Sequence, residues 1–184
     1  MTAGDLRTRR LELRRPTLAD LDAIFTITAD PRTTAHNPSD AIGTRQDARD
    51  LYRRWDDQWN QYGFGYYAVR RHGGDQVLGF CGVKVMQFRH GTVLNLFYRF
   101  SPTVWGHGLA SEAATAVVAW VAGAIPGWTV IARVRPDNVA SQRVALKSGL
   151  VRAPELDGDG YDGIDWIYSS TRTRRGFPWS RRHR

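Results

Sequence analysis

A short segment of small residues, 103–120, has the residue types needed to bind an anion. It reads TVWGHGLASEAATAVVAW, with Gly106, Gly108 and Ala110 directly before and at the start of an apolar helical pattern. A helix that begins here presents unpaired N–H groups and the positive end of its dipole, and small side chains let a phosphate approach them. The segment therefore predicts an anion-binding loop, although a tight turn without a ligand explains the same residues.

The loop differs from the common nucleotide-binding motifs. It lacks the Lys-Ser/Thr pair that ends a Walker loop, and it follows a run of strands instead of opening a strand–helix–strand unit. ATP and NAD are therefore not expected. The remaining expectation is a pyrophosphate carried by another molecule.

The elements that must position this loop follow from the apolar pattern. Alternation around Leu11 and Leu13 predicts a strand that ends at Pro16, and two helices follow before three strands that form an antiparallel meander. After the loop helix come a buried strand, a helix from Asp137-Asn138 to Gly149, and an edge or hairpin strand. This order predicts a mixed α/β or α+β sheet. The second helix is capped by Thr44 and Asp47 and has a predicted core stripe of Leu51, Trp55, Trp59 and Tyr62.

Composition limits the class of protein. The chain has 184 residues, of which 42% are hydrophobic and 11% aromatic, so we expect one folded domain. Cys81 is the only cysteine, which excludes an intramolecular disulfide and a cysteine zinc site and favours a cytoplasmic protein. No apolar run has the length of a signal peptide or a membrane span, so we expect neither.

The formal net charge of +8 comes almost entirely from arginine. Of 26 basic residues, only Lys84 and Lys147 are lysine, and arginines cluster in residues 7–15 and 172–184. The codon usage of a GC-rich genome explains this composition, and solvated ends are the simplest interpretation. The same ends would also favour a weak association with RNA or a ribosome.

Three segments together resemble the GNAT superfamily of acetyltransferases, in particular its RimJ/RimL-like branch. The run WGHGLASEA, 105–113, matches a Trp-Gly-x-Gly-x-Ala-x-Glu-Ala pattern, and YGFGYYAVRR resembles the Gly-Phe-Gly strand. A downstream helix resembles the Asn-x-x-Ser helix with a Lys-x-Gly ending, through Asn138, Ser141, Lys147 and Gly149. The resemblance implies a GNAT fold in residues 7–172, followed by a basic tail, 173–184. Its sheet would be mostly antiparallel with one splayed parallel strand pair, flanked by helices.

The resemblance also implies the chemistry. The protein would transfer an acetyl group from acetyl-CoA, without a metal, to a primary amine, either a protein N-terminal α-amine or a small molecule. Ser141 and Tyr98 are the implied catalytic residues, with Ser141 protonating the leaving thiolate. Backbone groups at 97–99 would pair with the pantetheine arm, and His107 and Arg99 would assist the loop. The implied cofactor-binding residues are Phe97, Tyr98, Arg99, Val104, Trp105, Gly106, His107, Gly108, Leu109, Ala110, Ser111, Asn138, Ser141 and Lys147.

The general base is the weakest part of the resemblance. Many relatives have a Glu where this chain has Asn95, and a glycine where it has Phe97. His36, Asp40 and His90 are other candidates, and a water chain is a further alternative. A CoA-binding protein without transferase activity therefore stays open as a second hypothesis, and a homodimer is a further expectation. Asp56, Asp57, Asp157 and Asp159 would supply an acidic acceptor groove.

Overall fold

The structure, a computed structural model, describes residues 3–89 and 91–170. Helices pack on both faces of a mixed sheet. The helices are α1 (Leu21–Ala29), α2 (Pro31–Thr34), α3 (Arg45–Tyr62), α4 (Leu109–Ala124) and α5 (Val139–Lys147). The strands are β1 (Leu6–Arg7), β2 (Leu11–Arg14), β3 (Tyr66–Arg71), β4 (Val77–Phe88), β5 (Gly91–Phe100), β6 (Val130–Val134), β7 (Val151–Arg152), β8 (Gly158–Gly160) and β9 (Gly163–Ser169).

The strands form one path, β1-β2-β3-β4-β5-β6-β9-β7, with β8 paired to β9. The predicted meander is confirmed as β3, β4 and β5, which pair antiparallel. β5 and β6 are parallel, and all other neighbouring pairs are antiparallel. The predicted fold, a mostly antiparallel sheet with one parallel pair, is therefore confirmed.

Both predicted helix caps are present. The Thr44 hydroxyl accepts the N–H of Asp47 at 3.1 Å, and the Asp47 carboxylate accepts the N–H of Thr44 at 2.9 Å. Gly149 has φ +93° after α5, a conformation that favours glycine. These local signals fix where α3 begins and where α5 ends.

The sheet separates two apolar layers. Leu94 and Leu96 of β5 pack in the layer that contains α4, whereas Phe97 packs with Phe80 and Trp55 of α3 on the opposite face. In the predicted stripe of α3, Trp55 and Trp59 are buried, but Tyr62 at the end of the helix is 37% exposed. The alternation of β5 therefore gives it one face toward α4 and another toward α3.

Three local expectations are corrected. The single N-terminal strand is a hairpin, since Leu6 of β1 pairs with Leu13 of β2. The segment between the two predicted helices, α1 and α3, contains a further short helix, α2, and the 3-10 turn Pro38–Asp40. Of the two alternatives for the last strand, the hairpin is confirmed by the pairing of β9 with β8, whereas the edge position is wrong because β9 lies between β6 and β7.

The parallel pair is short and then diverges. Leu94 pairs with Val130 and Asn95 with Ile131, and no later register between the two strands occurs in the described residues. β5 continues to Phe100 and β6 to Val134, so a gap opens between them beyond Asn95. This gap is the predicted splay.

No helix within residues 3–89 and 91–170 is long and apolar enough to cross a membrane. The predicted basic tail, 173–184, lies outside the described residues.

Candidate active site

A cleft of about 1250 Å³ lies at the splay of β5 and β6. One wall is the loop before α4 and the first turns of α5. The opposite wall comes from α2, the turn Pro38–Asp40 and α3, and the turn between β8 and β9 closes one side. Residues Val104, Trp105, Gly106, Gly108, Leu109, Ala110 and Ser111 of the loop line it.

The loop presents free backbone to this cleft. Gly106 and Gly108 have φ of +81° and +73°, values that favour glycine. A Cβ placed on Gly106 would meet no atom within 4 Å. Gly108 is the N-cap of α4 and offers no side chain to the first-turn N–H groups. The conformation and the open space together suit an anion that accepts hydrogen bonds from these groups.

Two side chains hold the loop in place. The Trp105 indole N–H donates to the Phe100 carbonyl at 2.8 Å, which joins the loop to the end of β5. Glu112, in the first turn of α4, accepts hydrogen bonds from the Thr8 hydroxyl at 2.6 Å and from the Arg10 N–H and Nε at 2.8 and 2.6 Å. Arg10 also donates to the His107 carbonyl at 3.0 Å. The β1–β2 hairpin therefore supports the loop before α4.

Sequence reasoning missed the role of Glu112, although the matched loop pattern includes a Glu at this position. Burial acts to raise the pKa of Glu112, but the hydrogen bonds from Thr8 and Arg10 outweigh it, so this pKa lies below its usual value. The carboxylate is therefore charged at neutral pH. It also offsets the charge of Arg10.

The two predicted catalytic residues lie together in the cleft. The Tyr98 hydroxyl lies 2.8 Å from Ser141 Oγ and 2.9 Å from the Ser141 carbonyl oxygen. Burial raises the pKa of Tyr98 well above its usual range, and the hydrogen bond with Ser141 offsets only part of this rise. Tyr98 therefore stays protonated and can donate a hydrogen bond to Ser141.

The backbone of β5 offers Tyr98, but not Phe97 or Arg99, to the gap. Leu94 donates its N–H toward β6, to the Thr129 carbonyl at 2.9 Å, and Ser101 donates toward β4. The register of β5 with β4 is regular, so backbone groups alternate between the two sides. The N–H and C=O of Tyr98 therefore face the gap, while those of Phe97 and Arg99 face β4.

Several predicted cofactor-binding side chains have other partners. Arg99 is ion-paired to Asp40 at 2.7 Å and its side chain is only 9% exposed, so it does not turn to the loop. His107 does not line the cleft. Asn138 caps α5 by accepting the Ser141 N–H at 3.0 Å, which leaves its amide N–H₂ to donate. Lys147 lines the cleft on the same helix.

The far side of the cleft is aromatic. The Phe97 ring stacks on Tyr66 with centroids 4.6 Å apart. Burial raises the pKa of Tyr66, so this phenol stays protonated. Asn95 lines the cleft at the last paired position of β5, and its buried Oδ1 has no hydrogen-bond partner among the described residues.

The other candidate bases and acids are dispersed. His36 lines the cleft but lies 3.2 Å from Asp137, Asp40 is held by Arg99, and His90 lies outside the described residues. The four acids expected in the acceptor groove, Asp56, Asp57, Asp157 and Asp159, are absent from the described lining of the cleft. Within the described ranges, no group of three His, Cys, Asp or Glu side chains could hold a metal ion.

The sequence is similar to a known protein domain and to known proteins. Residues 10–151 match the acetyltransferase (GNAT) domain. The uncharacterized N-acetyltransferase p20 of Bacillus licheniformis is 26% identical over 152 residues, which cover 80% of this chain and 85% of p20. The uncharacterized protein YkkB of Bacillus subtilis (strain 168) is 33% identical over 97 residues, 50% of this chain and only 56% of YkkB.

A solved structure shares the fold. The crystal structure of an acetyltransferase from Agrobacterium tumefaciens str. C58 superposes with a TM-score of 0.79 at 23% identity, covering 94% of this chain and 96% of that one. The matched domain pattern covers most of the sequence and includes the loop, Tyr98 and Ser141. The chain belongs to the GNAT family of N-acetyltransferases.

Proposed function

We propose that this cleft binds acetyl-CoA with its pyrophosphate on the loop before α4 and its pantetheine arm in the gap between β5 and β6. Loop amide groups and the dipole of α4 would hold the pyrophosphate. The C=O of Tyr98, which also faces the gap, would accept a hydrogen bond from an amide of the arm, as in an added strand. Arg143 and Lys147 of α5 line the cofactor side of the cleft and would attract its phosphates.

The observation that carries this proposal is the pairing of Tyr98 with Ser141 next to free strand backbone. A neutral amine attacks the thioester carbonyl, and the new N–C bond produces an oxyanion that needs a donor. The Tyr98 backbone N–H faces the gap and would serve as that donor. As the C–S bond breaks, the nitrogen loses a proton to water, and the thiolate takes a proton from the Ser141 hydroxyl, which water then reprotonates.

Ser141 supplies the hydrogen bond to the leaving thiolate. Its hydroxyl can donate to the sulfur when Tyr98, whose hydroxyl lies 2.8 Å from Ser141 Oγ and 2.9 Å from the Ser141 carbonyl oxygen, turns its one proton to Oγ. Because burial keeps Tyr98 protonated, Tyr98 orients and polarises Ser141 without becoming an anion. General acids of this kind contribute roughly 10²–10⁴-fold to a rate.

The acceptor is a primary amine, either a protein N-terminal α-amine or a small molecule. The RimJ/RimL-like loop pattern supports the first class. A weak ribosomal association through the arginine-rich ends and a homodimer belong to the same proposal.

Release of CoA from acetyl-CoA in the presence of amines tests the function. Tyr98→Phe and Ser141→Ala should each lower kcat by about 10²-fold or more while acetyl-CoA affinity changes little. Tyr62→Phe is the matched control, since Tyr62 lies at the end of α3 and does not line the cleft. Binding of acetyl-CoA without transfer to any amine would favour the alternative of a CoA-binding protein.

A further inference from the structure

We propose that the acceptor is a small amine that carries an anionic group, a carboxylate or a phosphate, and that Lys84 receives this group. The inference rests on the proposed acetyl transfer and concerns only the acceptor side of the same cleft. It follows from which charged side chains of the cleft already have partners in the protein and which do not.

The acids of the cleft are already engaged. Five Asp side chains line its described part, and each accepts hydrogen bonds from a partner in the protein. A cationic acceptor would have to compete with these partners. The five and their partners are Asp40 with Arg99, Asp47 with the N–H groups of Gly43 and Thr44, Asp50 with Arg53, Asp162 with Ser39, and Asp165 with Arg133 and Arg135.

We call the wall of the cleft formed by α3 and β4 its acceptor side. Two cations on this side have no such partner. Lys84 and Arg54 line the cleft, and within residues 3–89 and 91–170 neither side chain makes a hydrogen bond or an ion pair with the protein. They lie on the same wall, because Gln58, one turn after Arg54 on α3, accepts the N–H of Val85 at 3.4 Å. An unpaired cation in a cleft is available to a ligand.

Lys84 lies close to the reacting position. It pairs with Asn95 across β4 and β5, so the two side chains share one face of the sheet. Asn95 also pairs with Ile131 at the last position before the strands splay. Lys84 is therefore one strand away from the point where the thioester would enter.

A cation here has a second effect on the acceptor amine. A positive charge near an ammonium group disfavours its charged form and lowers its pKa. Asn95 cannot accept the proton, so this shift helps to produce the neutral amine without a protein base. Lys84 would therefore both select an anionic acceptor and favour its reactive form.

The entrance of the cleft fits a small acceptor. Ser39, in the turn after α2, donates to the Asp162 carboxylate through its N–H at 3.0 Å and its hydroxyl at 2.7 Å. Both residues line the cleft, and Arg135 donates to the Asp162 carbonyl at 2.6 Å. The Ser39–Asp162 hydrogen bonds therefore join the two sides of the entrance. The remaining opening has less room for a polypeptide than for a small molecule.

The test uses amines that differ in one charge. Values of kcat/KM, corrected for the neutral fraction of each amine, are measured for β-alanine against β-alaninamide, and for phosphoethanolamine against ethanolamine, with putrescine as the dication. We expect the kcat/KM of at least one anionic amine to exceed that of its uncharged analogue by about tenfold, as one charge pair of moderate strength would produce. A preference for β-alanine over β-alaninamide identifies a carboxylate as the anionic group, and a preference for phosphoethanolamine over ethanolamine identifies a phosphate.

Variants of Lys84 assign the preference. Lys84→Met should abolish the anionic preference, and Lys84→Glu should reverse it toward putrescine, while Lys84→Arg retains it. Arg71→Met is the control for net charge, since Arg71 is exposed on β3 and does not line the cleft. It should leave the preference unchanged.

Two outcomes overturn the inference. Acetylation of the panel without charge discrimination, or with a preference that Lys84→Met leaves unchanged, would remove Lys84 from acceptor selection but leave acetyl transfer intact. If acetyl-CoA binds and no amine in the panel is acetylated, the proposed transfer fails for small amines, and the inference fails with it.

Discussion

Glu112→Gln should loosen the loop before α4 because it removes a charge that Thr8 and Arg10 surround. Glutamine keeps a neutral acceptor for the Thr8 hydroxyl and the Arg10 N–H, but it loses the ion pair with Arg10 Nε at 2.6 Å. The Arg10 side chain is 32% exposed, so water partly compensates. We expect the free energy of unfolding to fall by about 1–2 kcal/mol.

Thermal unfolding with and without acetyl-CoA measures this effect. In a domain of this size the loss corresponds to a decrease in Tm of about 2–8 °C. The rise in Tm on adding acetyl-CoA should also become smaller, because the loop amide groups are held less firmly. Glu155→Gln is the control, since Glu155 is exposed and its side chain makes no hydrogen bond or ion pair within the described residues.

The pH dependence of the stability provides an independent test of the Glu112 interaction. The pKa of Glu112 is lowered in the folded state, so its stabilisation is fully present above the ordinary glutamate pKa of about 4.3. It is lost as the pH falls through the lower folded-state pKa. The Tm difference between wild type and Glu112→Gln should therefore shrink below about pH 4. If Glu112→Gln and Glu155→Gln have the same Tm at pH 7, Glu112 does not stabilise the loop before α4.

Three further predictions concern the same cleft. Gly106→Ala should weaken acetyl-CoA binding and cost about 1–2 kcal/mol of stability, since alanine is strained at φ +81°. Gly123→Ala, within α4 and with nothing within 4 Å, should instead stabilise by about 0.5 kcal/mol in the same unfolding assay. Trp105→Phe loses the hydrogen bond to Phe100 and should cost about 1 kcal/mol, while equal stability would show that the bond is dispensable. With increasing pH, kcat/KM should rise through the pKa of each acceptor amine, whereas a rise near pH 6.5 for all amines would indicate a histidine base.

Local chemistry explains what the sequence could predict. The cap at Thr44, the glycines of the loop, the meander and the start of α5 at Asn138 depend on neighbouring residues, and the structure has them as expected. The placement of β9 between β6 and β7 depends on chain topology, which a periodicity does not contain. For that reason the sequence predicts the hairpin but does not exclude an edge position for the last strand.

Long-range pairings account for the rest of the site. Glu112 meets Thr8 and Arg10 across 104 and 102 residues, and Arg99 meets Asp40 across 59. No local pattern predicts which arginine pairs with which acid in a chain with 26 basic residues. The expectation of Asp56, Asp57, Asp157 and Asp159 in the acceptor groove rests on charge alone, and these residues are absent from the described cleft lining.

A crystal structure of the protein with acetyl-CoA tests the central claim most directly. The account predicts the pantetheine arm between β5 and β6, hydrogen-bonded to the backbone of Tyr98, with the pyrophosphate on residues 106–111 and the sulfur within hydrogen-bond distance of Ser141 Oγ. A cofactor bound outside the splay, or with its sulfur away from Ser141, would contradict it.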